Sequence, residues 1–186
     1  MTTHFYQHPI CITHEPGPYH PESPDRLKSV MAALSTAEFK ELAHFEAPKA
    51  TIETIVLMHD PAYVEYILKS VPESEYAQLD ADTILSPGSG EAILRAVGGV
   101  CAAVDDVLKG VANNAFCAMR PPGHHAEHAQ AMGFCIFNNI AIAAKYAQES
   151  HGVEKVAVID FDVHHGNGTQ HMFERDGSLF YGSIHQ

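Results

Sequence analysis

The stretch KVAVIDFDVHHGNGTQHMF, residues 155–173, passes from a nearly continuous apolar run into a loop rich in Asp, His and Gly, and then into a short helical pattern. The apolar run through Phe161 reads as a strand of the kind buried on both faces of a parallel sheet. Working outward, SLFYGSI (178–184) reads as the following strand and AFCAM (115–119) as an earlier one that leads straight into RPPGHH. Between them, NNIAIAAKYAQES (138–150) has helical spacing. This alternation of strands and helices predicts an α/β domain with a parallel sheet. Ligands in such sheets bind beyond the carboxyl ends of the strands. Both histidine-rich segments, 120–128 and 160–167, fall at that position.

The upstream half is less regular. HFYQHPICITHEPGPYHPESPDR (4–26) reads as a short strand followed by a loop. Ser23 with Pro24 marks a helix start, with the helix expected through Phe39. Asp60 with Pro61 repeats the signal before AYVEYILKSV (62–71). SEYAQLDADTILSPGSG (74–90) reads as a loop punctuated by Pro87, Gly88 and Gly90. GEAILRAVGGVCAAVDDVLKG (90–110) reads as a long helix that Gly110 ends.

With 186 residues, 46% hydrophobic and 18% charged, the chain suits one globular domain. No apolar run is long enough to cross a membrane. The N-terminus MTTHFYQHPIC is not a secretory signal, which points to the cytoplasm. Cys11, Cys101, Cys117 and Cys135 show no CxxC spacing and read as reduced, buried side chains rather than a thiolate zinc site. A formal net charge of −12 disfavours nucleic acid and favours a cationic partner or substrate. Histidine, at 14, outnumbers Lys plus Arg at 11, so its clustering carries information.

In DFDVHHGNG (160–168), extended backbone would project Asp160, Asp162 and His164 to one side, since the side-chain period is two. Two carboxylates and an imidazole at a strand end suit a divalent metal such as zinc. Without a cation between them the carboxylates would repel one another. Gly166 and Gly168 let the backbone turn closely around such a site. The competing reading is a capping loop whose acids bond backbone N–H groups. In PPGHH the adjacent histidines His124 and His125 face different ways, so they should do different jobs. A metal-activated water needs a base, and histidine is the usual one near neutral pH. An acid such as Asp160 could orient one ring. Pro121 and Pro122 would stiffen the loop. Gly133 and Phe134 could wall a narrow channel, although Phe134 alone reads as core. His128, His59 and His185 read as structural or surface residues. Asp80 and Asp82 read most simply as solvated turn residues, although an acid on a pocket rim could hold a cationic substrate.

Two long segments, RPPGHHAEHAQAMGFCIFNNIAIAA and VAVIDFDVHHGNGTQHMF, closely resemble the zinc-dependent histone deacetylase family. PESPDRL, HDPAYVEYI and DTILSPGS fit it as well, and Asn167 looks like the class II branch with its bacterial amidohydrolase relatives. The resemblance implies a three-layer α/β/α fold with a mostly parallel sheet, like arginase. It implies Asp162 and His164 as two of three zinc ligands. Asp160 would be the acid paired with His124, His125 the general base, and Gly133 and Phe134 the channel wall. Asp82 would be the rim acid. A potassium ion would lie at Asp160, Asp162, His164, Ser183 and Ile184, mostly on backbone oxygens.

The family's third zinc ligand, an aspartate, and its carbonyl-polarising tyrosine lie further downstream in the pattern. Tyr181 does not match that tyrosine motif. Residues 1–186 therefore read as the N-terminal portion of one deacetylase domain, inactive in isolation. The activity implied is hydrolysis of acetyl-lysine in a peptide. Acetylated polyamines or other small amides are the nearest rival substrates, and a non-catalytic binding module is the rival of another class.

Overall fold

The computed structural model describes residues 1–186. In chain order, β1 (Thr3–Gln7) is followed by α1 (Pro24–Leu34), β2 (Ala43–Glu46), the single-turn α2 (Ile52–Ile55), α3 (Pro61–Lys69), β3 (Ala77–Gln78) and β4 (Ile84–Leu85). Then come α4 (Ser89–Leu108), β5 (Asn114–Ala118), α5 (Asn139–His151), β6 (Val156–Asp160), α6 (Asn167–Phe173) and β7 (Leu179–Ser183). β1 lies between β2 and β5, and both pairings are parallel. β6 and β7 form a second parallel pair, and β3 with β4 a small antiparallel one. The α/β class and the parallel pairing are as the alternation predicts.

Helices cover both faces of the first sheet. Phe5 of β1 clusters with Leu27 of α1 and Ala118 of β5. Side-chain alternation puts His4 and Tyr6 on the other face. There both bond the Asp106 carboxylate of α4, at 2.6 and 2.5 Å. The largest core gathers α2, α3, α4 and α5 around Ile55, Ile67, Leu85, Ile93, Ile136 and Phe137. A smaller cluster seats Val158 and Leu179 of the β6–β7 pair on α5 and α6 through Ala141, Ala144 and Phe173.

Four elements depart from the sequence reading. α1 stops at Leu34, five residues short of Phe39, because Ser35 and Thr36 hydroxyls take the carbonyls of Met31 and Ala33. The segment 74–90 contains the β3–β4 hairpin, whose two-residue strands are too short to show a period. β2 lies in a segment with no assigned element, and its side chains are largely exposed. β6 is not buried on both faces: Val158 is buried, whereas Ile159 and Phe161 are 60% and 87% exposed. β5 and β6, each paired along one edge, are separated by an apolar groove lined by Val104, Val107, Phe116, Ile140 and Val156. The apolar run in β6 matches a doubly covered strand, and no element of residues 1–186 provides the second cover. Other local signals hold. Asp60 accepts from the Ala62 and Tyr63 N–H groups at 2.7 and 3.2 Å, and Gly110 ends α4 at φ +71°. No helix is long and apolar enough to cross a membrane.

Buried polar groups stitch the loops to this frame. His59 donates Nδ1–H to the His128 carbonyl at 3.2 Å and accepts the Asn138 N–H on Nε2 at 2.8 Å. Burial pushes its pKa down to about 4, and that of His14 down to about 3, so both imidazoles are neutral packing elements. The heaviest stitch is Arg120, two residues beyond the end of β5. Its guanidinium meets both Glu22 oxygens at 2.5 Å and donates to the Cys11 carbonyl at 2.8 Å. Arg120 and Glu22 side chains are 3% and 1% exposed. Removing one partner of such a pair strands a buried charge. Arg120→Met should therefore cost about 3–5 kcal/mol in urea unfolding. Pairing it with Glu22→Gln should recover part of that loss. Parental stability in Arg120→Met would contradict this account.

Candidate functional site

The carboxyl ends of β5 and β6 carry the two histidine-rich segments into one cleft of about 360 Å³. Its walls include Asp82, His124, His125, Phe134, Asp162 and His164. Arg120 anchors the start of the first segment, and Asn139 Nδ2 donates to the Pro121 carbonyl at 3.1 Å. Gly123 packs so closely on α5 that a Cβ there would lie 2.6 Å from the Asn139 nitrogen. Gly168 sits as closely on the same loop, where a Cβ would lie 2.1 Å from the Ala126 carbonyl. The histidine loop is thus clamped between α5 and α6.

The two rings sit 4.1 Å apart and have different partners. His124 Nδ1 lies 2.9 Å from Asp160 Oδ2, so it donates to the carboxylate. Asp160 also accepts the Tyr181 hydroxyl at 2.9 Å and the Asp162 N–H at 3.1 Å. Burial works against its charge, but the hydrogen bonds from His124, Asp162 and Tyr181 outweigh it and hold its carboxyl below the usual range. Tyr181 is pushed up, first by burial and then by the neighbouring Asp160 carboxylate. Gly166 leaves the room this cluster needs, since a Cβ there would lie 2.5 Å from the Tyr181 hydroxyl and 2.6 Å from Asp160.

His125 Nδ1 lies 2.7 Å from Asn167 Oδ1. The Asn167 amide nitrogen donates to Glu127 at 2.6 Å, which leaves its carbonyl facing His125. His125 therefore donates from Nδ1 and keeps the lone pair on Nε2. Desolvation lowers its pKa, and the Asn167 bond only partly opposes this. A neutral imidazole with a free Nε2 on a cleft wall is competent to accept a proton.

Asp162 and His164 line the same cleft, with Asp162 Oδ1 4.0 Å from His124 Nε2. Asp162 Oδ1 accepts the His164 N–H at 2.8 Å and lies 3.2 Å from its Nδ1. His164 is 6.0 Å from His125, ring centre to ring centre. The strand ends at Asp160, so Asp160, Asp162 and His164 do not continue one extended face. Asp160 turns inward to His124 while Asp162 and His164 turn to the cleft. A carboxylate and an imidazole are donors that zinc takes. No three His, Cys, Asp or Glu side chains are gathered as a metal cluster. At the proposed potassium positions, Ser183 stands opposite Asp160 in the β6–β7 register, and Ile184 N–H donates to the Asp160 carbonyl at 2.9 Å. The Ser183 hydroxyl lies 2.9 Å from His185 Nδ1.

The hairpin supports the remaining wall. Asp82 Oδ1 accepts the Gly133 N–H at 3.1 Å, and the Thr83 hydroxyl accepts the Phe134 N–H at 3.1 Å. Asp82 is thus part of the cleft and not a free turn residue. Phe134 meets His20 edge-on at 4.8 Å and is not core. His128 stays outside the cleft, with its Nδ1 2.9 Å from the Met58 carbonyl. Sequence spacing missed Tyr181 on Asp160, Glu127 behind Asn167, and the Glu22–Arg120 pair. Tyr181 had a signal in the period of β7, where it shares a face with Ser183. The other partners join residues far apart in the chain.

The histone deacetylase domain profile matches residues 20–186. The histone deacetylase-like amidohydrolase of Pseudomonas aeruginosa is 38% identical, over 99% of this chain and 53% of its own length. Histone deacetylase 14, chloroplastic, of Arabidopsis thaliana is 40% identical, over 90% of this chain and 44% of its own. A crystal structure of the HDA15 HD domain superposes with a TM-score of 0.94 at 35% identity, covering 99% of this chain and 53% of that one. The chain thus spans about half the length of these relatives.

Gly133 has φ +57°, and a Cβ there would lie 2.5 Å from the His125 ring. Gly133→Ala should therefore lower stability by about 1–3 kcal/mol and shift the His125 NMR signals. An unshifted His125 in a variant of parental stability would refute the contact.

Proposed function

The chain belongs to the histone deacetylase family, and from that premise we propose that it carries the proton-transfer half of a zinc-dependent deacetylase site. The reaction is hydrolysis of the amide of N-acetyl-lysine or a similar acylated amine. The observation that carries this reading is the pairing of His125, neutral with Nε2 free, with Asp162 and His164 in the same cleft.

Asp162 and His164 would hold the zinc, which when bound polarises the amide carbonyl and acidifies water. His125 Nε2 takes the proton of the attacking water and returns it to the departing amine. His124, donating to the charged Asp160, keeps a polarised imidazole beside the developing negative charge. Gly133 and Phe134 flank the acyl-lysine stem, and Asp82 anchors that wall while offering a carboxylate at the mouth. The carbonyls near Asp160, Asp162, His164, Ser183 and Ile184 would take a potassium ion as a structural element. The net charge of −12 suits a cationic substrate, whether a lysine-rich peptide or an acetylated polyamine.

Catalytic zinc takes three protein ligands, and Asp162 and His164 make two. Residues 1–186 alone should therefore be inactive or nearly so. The check is turnover of an acetyl-lysine peptide and of acetylspermidine, side by side, with zinc added. Rates near those of an intact family enzyme on either substrate would contradict the division of ligands.

A further inference from the structure

The Asn167 side chain holds His125 in the tautomer that leaves Nε2 free, yet nothing intrinsic to asparagine fixes that arrangement. Its carboxamide is nearly symmetric in shape, and a half-turn would swap carbonyl and amide nitrogen. Turned round, it would donate to His125 Nδ1. The ring proton would then sit on Nε2, where a base needs its lone pair. Free histidine itself favours the Nε2–H form, so the protein must supply the bias.

Glu127 supplies it by position. Its Oε1 accepts the Asn167 amide proton at 2.6 Å, and a carboxylate can only accept. His171 Nδ1 contacts the same oxygen at 2.8 Å. Asn167 and His171 lie four residues apart on α6, so one helix face presents both groups to Glu127. Glu127 is itself held, its N–H donating to the Gln130 carbonyl at 2.9 Å, and its side chain is 21% exposed. With Glu127 in place a turned Asn167 would aim its carbonyl at a carboxylate and its NH2 at a ring nitrogen that must then give up its proton.

We propose that Glu127 is a positioning residue that locks the Asn167 amide and thereby sets the tautomer of His125. The role gains meaning from the reading of His125 as the base, but the tautomer exists and is measurable whether or not that reading holds.

The test uses the 186-residue chain and long-range 1H–15N NMR of the imidazoles above pH 7. In the parent, His125 should show Nδ1–H almost exclusively. Glu127→Met keeps the volume and removes the short, charged acceptor, leaving the Asn167 amide only the longer contacts to the His125 carbonyl at 3.4 Å and the Met132 sulfur at 3.5 Å, and should raise the Nε2–H form of His125 to a comparable population. The His124 tautomer, fixed by Asp160, should not move, which separates this effect from general loosening. Glu127→Gln keeps a carbonyl acceptor and should stay close to the parent. In Glu127→Met with Asn167→Asp the acceptor-only Asp should restore Nδ1–H. An unchanged His125 in Glu127→Met, or no restoration in the double variant, would overturn the proposal. Should Glu127→Met fail to fold, Glu127→Ala takes its place with the same outcomes.

Discussion

The buried ion pair between Arg120 and Glu22 is the constraint on which the site depends. β5 ends two residues before Arg120, and the histidine loop begins just after it. With both Glu22 oxygens at 2.5 Å, the guanidinium ties that junction to the loop between β1 and α1. A buried pair of this kind adds little net stability over an apolar substitute, but it admits few alternative geometries. What it contributes is direction: His124 and His125 leave a fixed point, between α5 on one side and α6 on the other. Glycines at 123 and 168 then permit approaches that any side chain would block.

From that point the two imidazoles diverge because their Nδ1 partners differ. His124 meets a charged carboxylate that three donors stabilise. His125 meets a neutral amide, and burial lowers its pKa. In the proposed reaction the first ring would support negative charge nearby and the second would move a proton. The same side chain thus takes two roles at adjacent positions, and the difference comes from residues 36 and 42 positions downstream.

Much of this was legible in the sequence. The apolar runs of β5 and β6, the helical spacing of α4 and α5 and the Asp60 cap were readable because local period and capping chemistry decide them. The placement of both histidine segments at strand ends followed from the topology of parallel sheets. The motifs in those segments also carried the family. Reading Asp160, Asp162 and His164 as one converging face was too simple, because the chain leaves the strand at Asp160 and each side chain then follows its own partner. The β3–β4 hairpin was invisible because strands of two residues have no period. Asn167, Glu127, Tyr181 and Glu22 were missed as partners because each acts on a residue distant in sequence, and pairings of that kind are set by packing. The exposure of Ile159 and Phe161 marks a further limit, since apolar composition records a need for cover without naming what supplies it.

On the proposed reading, Asp162 and His164 hold the metal and His125, lining the same cleft, stays unliganded. Zinc-edge X-ray absorption on the zinc-titrated chain tests this assignment. One imidazole nitrogen is expected in the zinc shell, with oxygen donors around it. That imidazole should be lost in His164→Ala and retained in His125→Ala. Imidazole ligation that survives His164→Ala, or disappears in His125→Ala, would contradict it.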